Sequence, residues 1–402
     1  MITVEEATAI LEENLLTLDG TDVPLPEAVG RVLQEPVYAD RDFPPFNRVA
    51  MDGVAIQFAS YHHGEDFFEI EGIQLAGALP LTLKRADSCL EVMTGAMLPH
   101  QTNTVIRYED LKLVERKGRR YAYILEAPKA PYQHVHRQGS DRRAADLLIP
   151  AGTLLGPAEI AVAATVGKTL LKVVRPPRVA IISTGDELVD IAQTPAPHQI
   201  RQSNAFMLQA ALRAQQVAGD IYHLADDQQQ IESGLAQLLQ TYEVLILSGG
   251  VSKGKADFVP GVLSQLGVTQ LCHEVAQKPG KPFWFGRSAG GTVVFALPGN
   301  PNSTFLCYYR YVKPWLLKTL GTRPGMNRHA ILREEVSFKP NLTYFLPVKV
   351  SEAASGMLQA NPIKHGGSGD LAAMLEADGF LELPPKQGYF AAGDVYPFIR
   401  FR

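Results

Sequence analysis

Val244-Leu245-Ile246-Leu247-Ser248-Gly249-Gly250-Val251-Ser252 opens the stretch whose reading decides the fold. It runs on through Gln277-Lys278-Pro279-Gly280-Lys281-Pro282 to Val293-Val294-Phe295-Ala296-Leu297-Pro298-Gly299-Asn300-Pro301. The aliphatic runs Val244–Leu247 and Val293–Leu297 have the length and β-branched content of buried strands. Each breaks abruptly into Gly, Ser, Pro or Asn, residues that let the backbone turn tightly and point its N–H groups outward. Between them, Lys278 and Lys281 place two ammonium groups on a segment stiffened by proline and hinged by glycine, and Asp257 supplies a carboxylate. Backbone donors, lysines and an acid at strand ends suit an oxyanion or phosphorylated ligand accompanied by a divalent cation.

Working outward, strand and helix patterns alternate from the paired prolines at Arg175-Pro176-Pro177, a stiff boundary. Val179–Ile182 ends in Ser183-Thr184-Gly185-Asp186-Glu187. Ser203 is expected to cap a helix through Val217 with Ala205, Leu208, Ala211 and Leu212 on its apolar side. Ile221–Leu224 ends in Ala225-Asp226-Asp227, and a further helix through Leu239 returns to Val244. Parallel strands joined by crossover helices define a doubly wound α/β domain, expected over 176–325. Ligands of such sheets bind beyond the carboxyl ends of the strands. Asp186, Glu187, Asp226, Asp227, Ser248–Ser252 and Pro298–Pro301 all follow strands, so four separate loops are expected on that one edge.

Outside this domain the patterns change. Thr3 followed by Glu6 has the form of a capping box, and Ala7, Ile10, Leu11 and Leu15 share one face of the helix that follows, a face expected to dock on another domain. With the next segment this helix forms the first part of a linker domain, 1–40, whose second part is 145–175. Between them, 41–144 contains short alternating runs such as Glu69–Ile73, Thr104–Arg107 and Tyr121–Leu125, the signature of an inserted small β domain. After Gly321-Thr322-Arg323-Pro324-Gly325, the runs Thr343–Val350, Leu358–Ala360, Phe380–Leu383 and Asp394–Phe398 predict a C-terminal, barrel-like β domain over 326–402.

At 402 residues the chain is too long for one core. A net charge of -4, with 46% hydrophobic and 20% charged residues, describes an ordinary soluble protein rather than one built for a nucleic-acid or anionic-membrane surface. Cys89, Cys272 and Cys307 are few and scattered, which fits buried inert thiols in a reducing compartment. The acidic, amphipathic N-terminal stretch is not a signal peptide, and no apolar run reaches membrane-spanning length, so a cytoplasmic location is expected.

Each candidate has a plainer reading. Gly249–Lys255 matches the first seven positions of a phosphate-binding P-loop, yet Ala256 stands where that motif needs a Ser or Thr for Mg²⁺. A nucleotide triphosphatase is therefore set aside, while the close approach of these amides to phosphate is kept. Asp52, Asp141, Asp186, Glu187, Asp226, Asp227 and Asp257 are singly best read as turn residues. Together, on glycine-adjacent loops, they fit Mg²⁺, which takes carboxylate oxygens plus phosphates and waters. Asp52-Gly53 alone is a turn entering a strand, and Thr94-Gly95 is ordinary loop chemistry. Pro298-Gly299-Asn300-Pro301 is a helix-start turn whose helix end still favours an anion.

Six motifs, in order, carry a resemblance over almost the whole chain. They are Phe46-Asn47-Arg48-Val49-Ala50-Met51-Asp52-Gly53, Met93-Thr94-Gly95-Ala96, Ser183-Thr184-Gly185-Asp186-Glu187-Leu188, Ser248-Gly249-Gly250-Val251-Ser252, Lys278-Pro279-Gly280-Lys281-Pro282 and Leu297-Pro298-Gly299-Asn300-Pro301. The chain resembles molybdopterin molybdenumtransferases of the MoeA type, similar also to the E domain of gephyrin. The resemblance implies insertion of molybdate into the dithiolene of adenylylated molybdopterin, with Mg²⁺ as cofactor and release of AMP. By position it implies that Asp52, Thr94 and Asp141 are β-domain contributions to the cleft. Glu187, Asp226 and Asp257 become the acidic, Mg²⁺- and substrate-handling residues. Lys278 and Lys281 become the lysines that hold molybdate and pterin phosphates, and Ser368 an oxyanion contact of the last domain. Ser248, Gly249, Gly250, Ser252, Pro298 and Pro301 complete the substrate-binding set.

The resemblance further implies a homodimer with a shared active site, and a molybdopterin adenylyltransferase as a partner that supplies the substrate. Two departures stand out. Phe345-Leu346-Pro347 lacks the arginine usual after the Phe-Leu pair, with Lys349 two positions on, and Lys253-Gly254-Lys255 replaces a less basic loop. A non-catalytic gephyrin-E-like dimeric scaffold or peptide-binding module is the alternative from a different class. An enzyme that adenylylates molybdopterin would share the α/β core without needing the extra β domains.

Overall fold

The structure is a computed structural model, and it describes residues 1–61, 66–251, 258–322, 328–364, 366–367 and 369–402. The chain divides into two units. One comprises Met1–Gln34, Gly152–Pro157 and Leu170–Arg402; the other comprises Glu35–Ala151 and Ala158–Thr169.

At the centre of the first unit is a six-stranded sheet. Gly219–Leu224, Val179–Thr184, Val244–Ser248 and Val293–Leu297 lie parallel in that spatial order, and Trp284–Ser288 and Val268–His273 extend the sheet antiparallel. Its central strands are apolar throughout because both faces are covered. Alternation along each strand divides their side chains between two cores. Val179, Ile181, Val244, Ile246, Val293 and Phe295 face Leu208, Leu212, Tyr311 and Trp315. Ala180, Ile182, Leu245, Leu247, Val294 and Ala296 face Ile231, Leu235, Val259 and Val262. Helices thus cover both sides, as a doubly wound sheet requires.

The N-terminal helix Val4–Glu13 has the expected capping box, with Thr3 and Glu6 bonding reciprocally. Val4, Ala7 and Leu11 enter the first core, with Ile10 and Leu15 packed against it. Trp315 Nε1 closes the contact by donating to the Asn14 carbonyl at 3.0 Å. The helix expected from Ser203 spans Ser203–Arg213, and its cap position is Gln202, without a side-chain cap bond. Ser203 is therefore the first helical residue, not the cap. The turn after Arg213, with Gln216 at φ 57°, stops the helix short of Val217. The expected inward residues Ala205, Leu208, Ala211 and Leu212 are all buried.

Beyond the sheet, a helical run starts at Pro301–Cys307, widens to a π-helical turn at Tyr308–Val312 and resumes over Lys313–Thr319. The C-terminal strands close on themselves. Thr343–Glu352, Leu358–Pro362, Arg328–Leu332, Val395–Arg400 and Gly379–Leu383 pair in sequence around a ring, and Gly379–Leu383 returns to Thr343–Glu352. This five-stranded barrel encloses its own core of Leu332, Leu346, Val348, Phe390 and Phe398. Gln277–Lys278, leaving the α/β domain, adds to the barrel beside Thr343 and Tyr344. That pairing positions the lysine segment.

The second unit contains a six-stranded sheet in the order Thr104–Arg107, Gly53–Ile56, Ser88–Val92, Phe67–Gln74, Arg119–Ile124, Leu111–Arg116. Gly53 is obligatory here, since a Cβ would stand 1.9 Å from the Ile106 carbonyl oxygen. Cys89, Cys272 and Cys307 are all buried and free. Among the described residues, no helix is long and apolar enough to cross a membrane.

Candidate active site

The parallel strands end together, so the loops that follow Thr184, Leu224, Ser248 and Leu297 lie on one edge of the sheet. They line a cavity of about 460 Å³ whose wall includes Thr184, Glu187, Asp226, Ser248, Gly249, Gly250, Pro298 and Pro301. Glycine is required at its floor. Gly249 and Gly250 have φ of +103° and +68°, and a Cβ on Gly249 would approach the Thr184 carbonyl oxygen to 2.8 Å. The loop is tied down by Gly249 N–H donating to the Leu297 carbonyl at 3.1 Å.

Asn204 joins the ends of two of these strands to the helix that follows the second. Its Nδ2 donates to Ser248 Oγ at 2.9 Å, to the Gly299 carbonyl at 2.8 Å and to Thr304 Oγ1 at 3.2 Å. Its Oδ1 is buried with no protein partner among the described residues, as is Thr184 Oγ1 at the same edge. Buried polar atoms left open at a cavity wall are natural ligand contacts.

The carboxylates of this edge separate by role. Asp227 caps the helix Gln228–Thr241 through the Gln230 N–H at 2.9 Å, and Asp186 accepts from the Asp226 N–H at 3.0 Å. Both fix loops. Glu187 and Asp226 line the cavity. Among the described residues, no cluster of three or more His, Cys, Asp or Glu forms a ready-made metal cage. Two carboxylates on one cavity wall nevertheless fit Mg²⁺, which takes waters and phosphate oxygens for the rest of its octahedron.

A second cavity, of about 730 Å³, adjoins the first through their shared residues Pro282 and Asn300. Lys278 and Lys281 line it, with Asn302, Ser303, Tyr344, Phe345, Pro347 and Gly367. The Lys278 ammonium stands 5.7 Å from the centre of the Phe338 ring, a cation–π distance that steadies its long stem. Asn302 Nδ2 donates to the Gly367 and Asp370 carbonyls, both at 2.9 Å, and so anchors the barrel loop to the helix start. Pro347 forms part of the same wall. Lys349 pairs with Asn361 on an exposed stretch of its strand and is not among the residues lining this cavity.

In the second unit, Asp52 and Thr94 are joined directly. Asp52 Oδ1 accepts the Thr94 backbone N–H at 2.6 Å and its hydroxyl at 2.7 Å. Those two bonds, the backbone one first, hold the Asp52 carboxyl below its ordinary range. Asp141 lies on a neighbouring segment, its N–H on the Phe43 carbonyl at 2.9 Å and Oδ1 accepting from Ser140 Oγ at 3.1 Å. Val49 N–H to the Ala96 carbonyl and Gln138 N–H to Asn47 Oδ1, each 2.9 Å, knit the three segments into one surface.

Ser252, Asp257 and Ser368 lie outside the described residues, as does Lys253-Gly254-Lys255. Sequence reasoning passed over Asn204, Asn302 and the buried Gln277. Gln277 and Asn302 adjoin recognised motifs and Asn204 follows Ser203, and the importance of each depends on partners distant in sequence.

Strand-end loops, two carboxylates and an adjoining lysine-lined cavity are features suited to an enzyme whose ligands carry phosphate or oxyanion groups. Comparison with known proteins gives the family. Residues 2–167 match the MoeA N-terminal region (domains I and II), residues 180–318 a probable molybdopterin binding domain, and residues 329–401 the MoeA C-terminal region (domain IV). The molybdopterin molybdenumtransferase of Synechocystis sp. is 40% identical over 400 residues, covering 99% of each chain. That of Haemophilus influenzae is 28% identical over 98% of this chain and 97% of its own. The crystal structure of the molybdopterin biosynthesis MoeA protein from Pyrococcus horikosii superposes with a TM-score of 0.85 at 29% identity, covering 100% of this chain and 99% of that one. The chain belongs to the MoeA family of molybdopterin molybdenumtransferases, and its activity is that of a transferase of molybdenum cofactor biosynthesis.

Proposed function

We propose that the chain transfers molybdate to the dithiolene of adenylylated molybdopterin and releases AMP in a Mg²⁺-dependent step. The observation that supports this best is the contiguity of the two cavities at Pro282 and Asn300. One offers glycine-bearing strand-end loops and carboxylates for a magnesium-bound pyrophosphate; the other offers two ammonium groups for an oxyanion.

In this reading the Ser248–Gly250 loop and the Pro298–Pro301 turn hold the phosphates, with Ser252 next in the same motif. Lys278 and Lys281 neutralise molybdate and bring it against the dithiolene, so insertion is governed by proximity rather than by proton transfer. Ser368 adds an oxyanion contact. Glu187, Asp226 and Asp257 would hold Mg²⁺, which when bound would draw charge from the phosphoanhydride and ease its cleavage by water into AMP and the pterin's own phosphate. Asp52, Thr94 and Asp141 serve the site of a partner subunit in a homodimer, and a molybdopterin adenylyltransferase supplies the adenylylated pterin.

The test is AMP release by the purified protein given adenylylated molybdopterin, Mg²⁺ and molybdate. AMP formed in step with molybdenum bound to the pterin supports the reading. AMP formation at the same rate without molybdate would overturn the coupling.

A further inference from the structure

Beneath Lys278–Lys281 lies a buried polar cluster with no role in the chemistry just described. Gln277 is fully buried. Its Nε2 donates to the Pro279 carbonyl at 3.0 Å and to Cys307 Sγ at 3.9 Å, while its Oε1 accepts from the Tyr311 hydroxyl. Cys307 Sγ in turn donates to the Gly280 carbonyl at 3.8 Å. Tyr311 is itself buried and stacked on Phe283, with ring centres 4.5 Å apart. Gly280, at φ +85°, sits so close that a Cβ would come 2.7 Å from Cys307 Sγ.

The ends of the lysine loop are held by backbone bonds. Gln277 and Lys278 pair with Thr343 and Tyr344, and the Lys281 carbonyl accepts from the Val275 N–H at 2.9 Å. Its apex, Pro279-Gly280, is held instead by side chains, and both apex carbonyls are drawn inward onto the Gln277–Cys307 pair. The separation and aim of the two flanking lysines depend on that apex. The two side chains from the helical run come from Cys307 and from the π-helical turn that contains Tyr311. Such turns often mark functional places in helices.

We infer that Gln277, held by Tyr311, is a positioning residue for the oxyanion substrate: it fixes the loop apex so that Lys278 and Lys281 present their charges to the second cavity at a set spacing. The inference rests on the reading of that cavity as the molybdate site. Molybdate-dependent AMP release is compared for Gln277→Met, which keeps the volume and removes the bonds, for Tyr311→Phe, which removes one hydroxyl, and for Lys281→Ala. Loss of a buried bond that orders the loop predicts a molybdate KM raised about tenfold in Gln277→Met, and by less in Tyr311→Phe. The KM for adenylylated molybdopterin and the kcat at saturating molybdate should stay within about twofold, since only oxyanion binding is disturbed.

A role confined to stability would lower the melting temperature and leave the molybdate KM of the folded variants unmoved. That result, alongside a raised KM in Lys281→Ala, overturns the inference. An equal rise in both substrates' KM values overturns it too. If Lys281→Ala itself leaves molybdate KM unchanged, the assignment of the cavity fails and this inference falls with it. Should Gln277→Met not fold, Tyr311→Phe decides by the same criteria.

Discussion

Replacing Gly249 by alanine tests whether the strand-end loop is built on a close backbone approach. Two costs arise. At φ +103° a side chain strains the backbone, and its Cβ would also stand 2.8 Å from the Thr184 carbonyl oxygen and 3.0 Å from Thr184 Oγ1. Gly291, at φ +93° in the turn between Trp284–Ser288 and Val293–Leu297, has nothing within 4 Å of the same position. Gly291→Ala therefore reports strain alone, about 1–2 kcal/mol. Gly249→Ala adds an overpacking cost of about 1–3 kcal/mol, because Thr184 is held in the sheet and cannot easily withdraw. The strands ending at Thr184 and Ser248 must spread, and the loop that lines the cavity moves with them. Denaturant unfolding gives the stability difference, and AMP release gives the functional one. Both variants should be destabilised, with Gly249→Ala the worse by at least about 1 kcal/mol and alone in losing affinity for the adenylylated pterin. Equal stabilities, with full activity in both, would refute the idea that this loop's shape needs glycine.

Further outcomes follow from the same geometry. Thr94→Val removes the hydroxyl but not the amide bond to Asp52, so the Asp52 pKa should rise part of the way back toward its ordinary 3.8, as carboxyl NMR titration would record. Because the folded pKa is depressed, the stabilisation from that carboxylate is complete above the unfolded value and is lost as pH falls through the folded one. Thr94→Val should flatten this acid limb without affecting stability at neutral pH beyond the lost hydroxyl bond. Pro347→Arg would put a guanidinium on the wall of the second cavity, and a charge-assisted bond to molybdate should lower its KM about tenfold; an unchanged KM would place the oxyanion elsewhere. Burial raises all three thiols above their ordinary range, Cys272 to about 12, so none should react with a disulfide reagent at pH 8 until the protein is unfolded, when three should titrate.

The fold was legible where sequence period and burial coincide. Val244–Leu247 and Val293–Leu297 announce themselves as strands because both faces of a parallel sheet are covered, and their loops follow from the abrupt change to Gly, Pro and Asn. Helix boundaries were less readable. Ser203 has the chemistry of a cap, yet the chain turns one residue earlier and Gln202 takes that position without a side-chain bond. The π-helical turn at Tyr308–Val312 leaves no periodic trace, since its residues are apolar or aromatic nearly all round.

Around the site, motif residues were visible because glycine, proline and lysine in one short segment are unusual in a fold without a ligand. Asn204, Gln277 and Asn302 were not visible. An amide side chain looks like any solvated residue until the three-dimensional arrangement supplies Ser248, Pro279 or Gly367 as its partner. The barrel's use of Gln277–Lys278 as an added strand is likewise a long-range pairing with no local signature.

The central claim is that the lysine loop and the strand-end cavity together hold an oxyanion beside a nucleotide-capped pterin. The most direct measurement is molybdate bound at equilibrium, in the presence of adenylylated molybdopterin and Mg²⁺, for the unaltered chain and for the Lys278→Ala, Lys281→Ala double variant. Stoichiometric binding that the double variant loses, with its affinity for the adenylylated pterin retained, is the predicted result. Molybdate binding that ignores the removal of both lysines would contradict it.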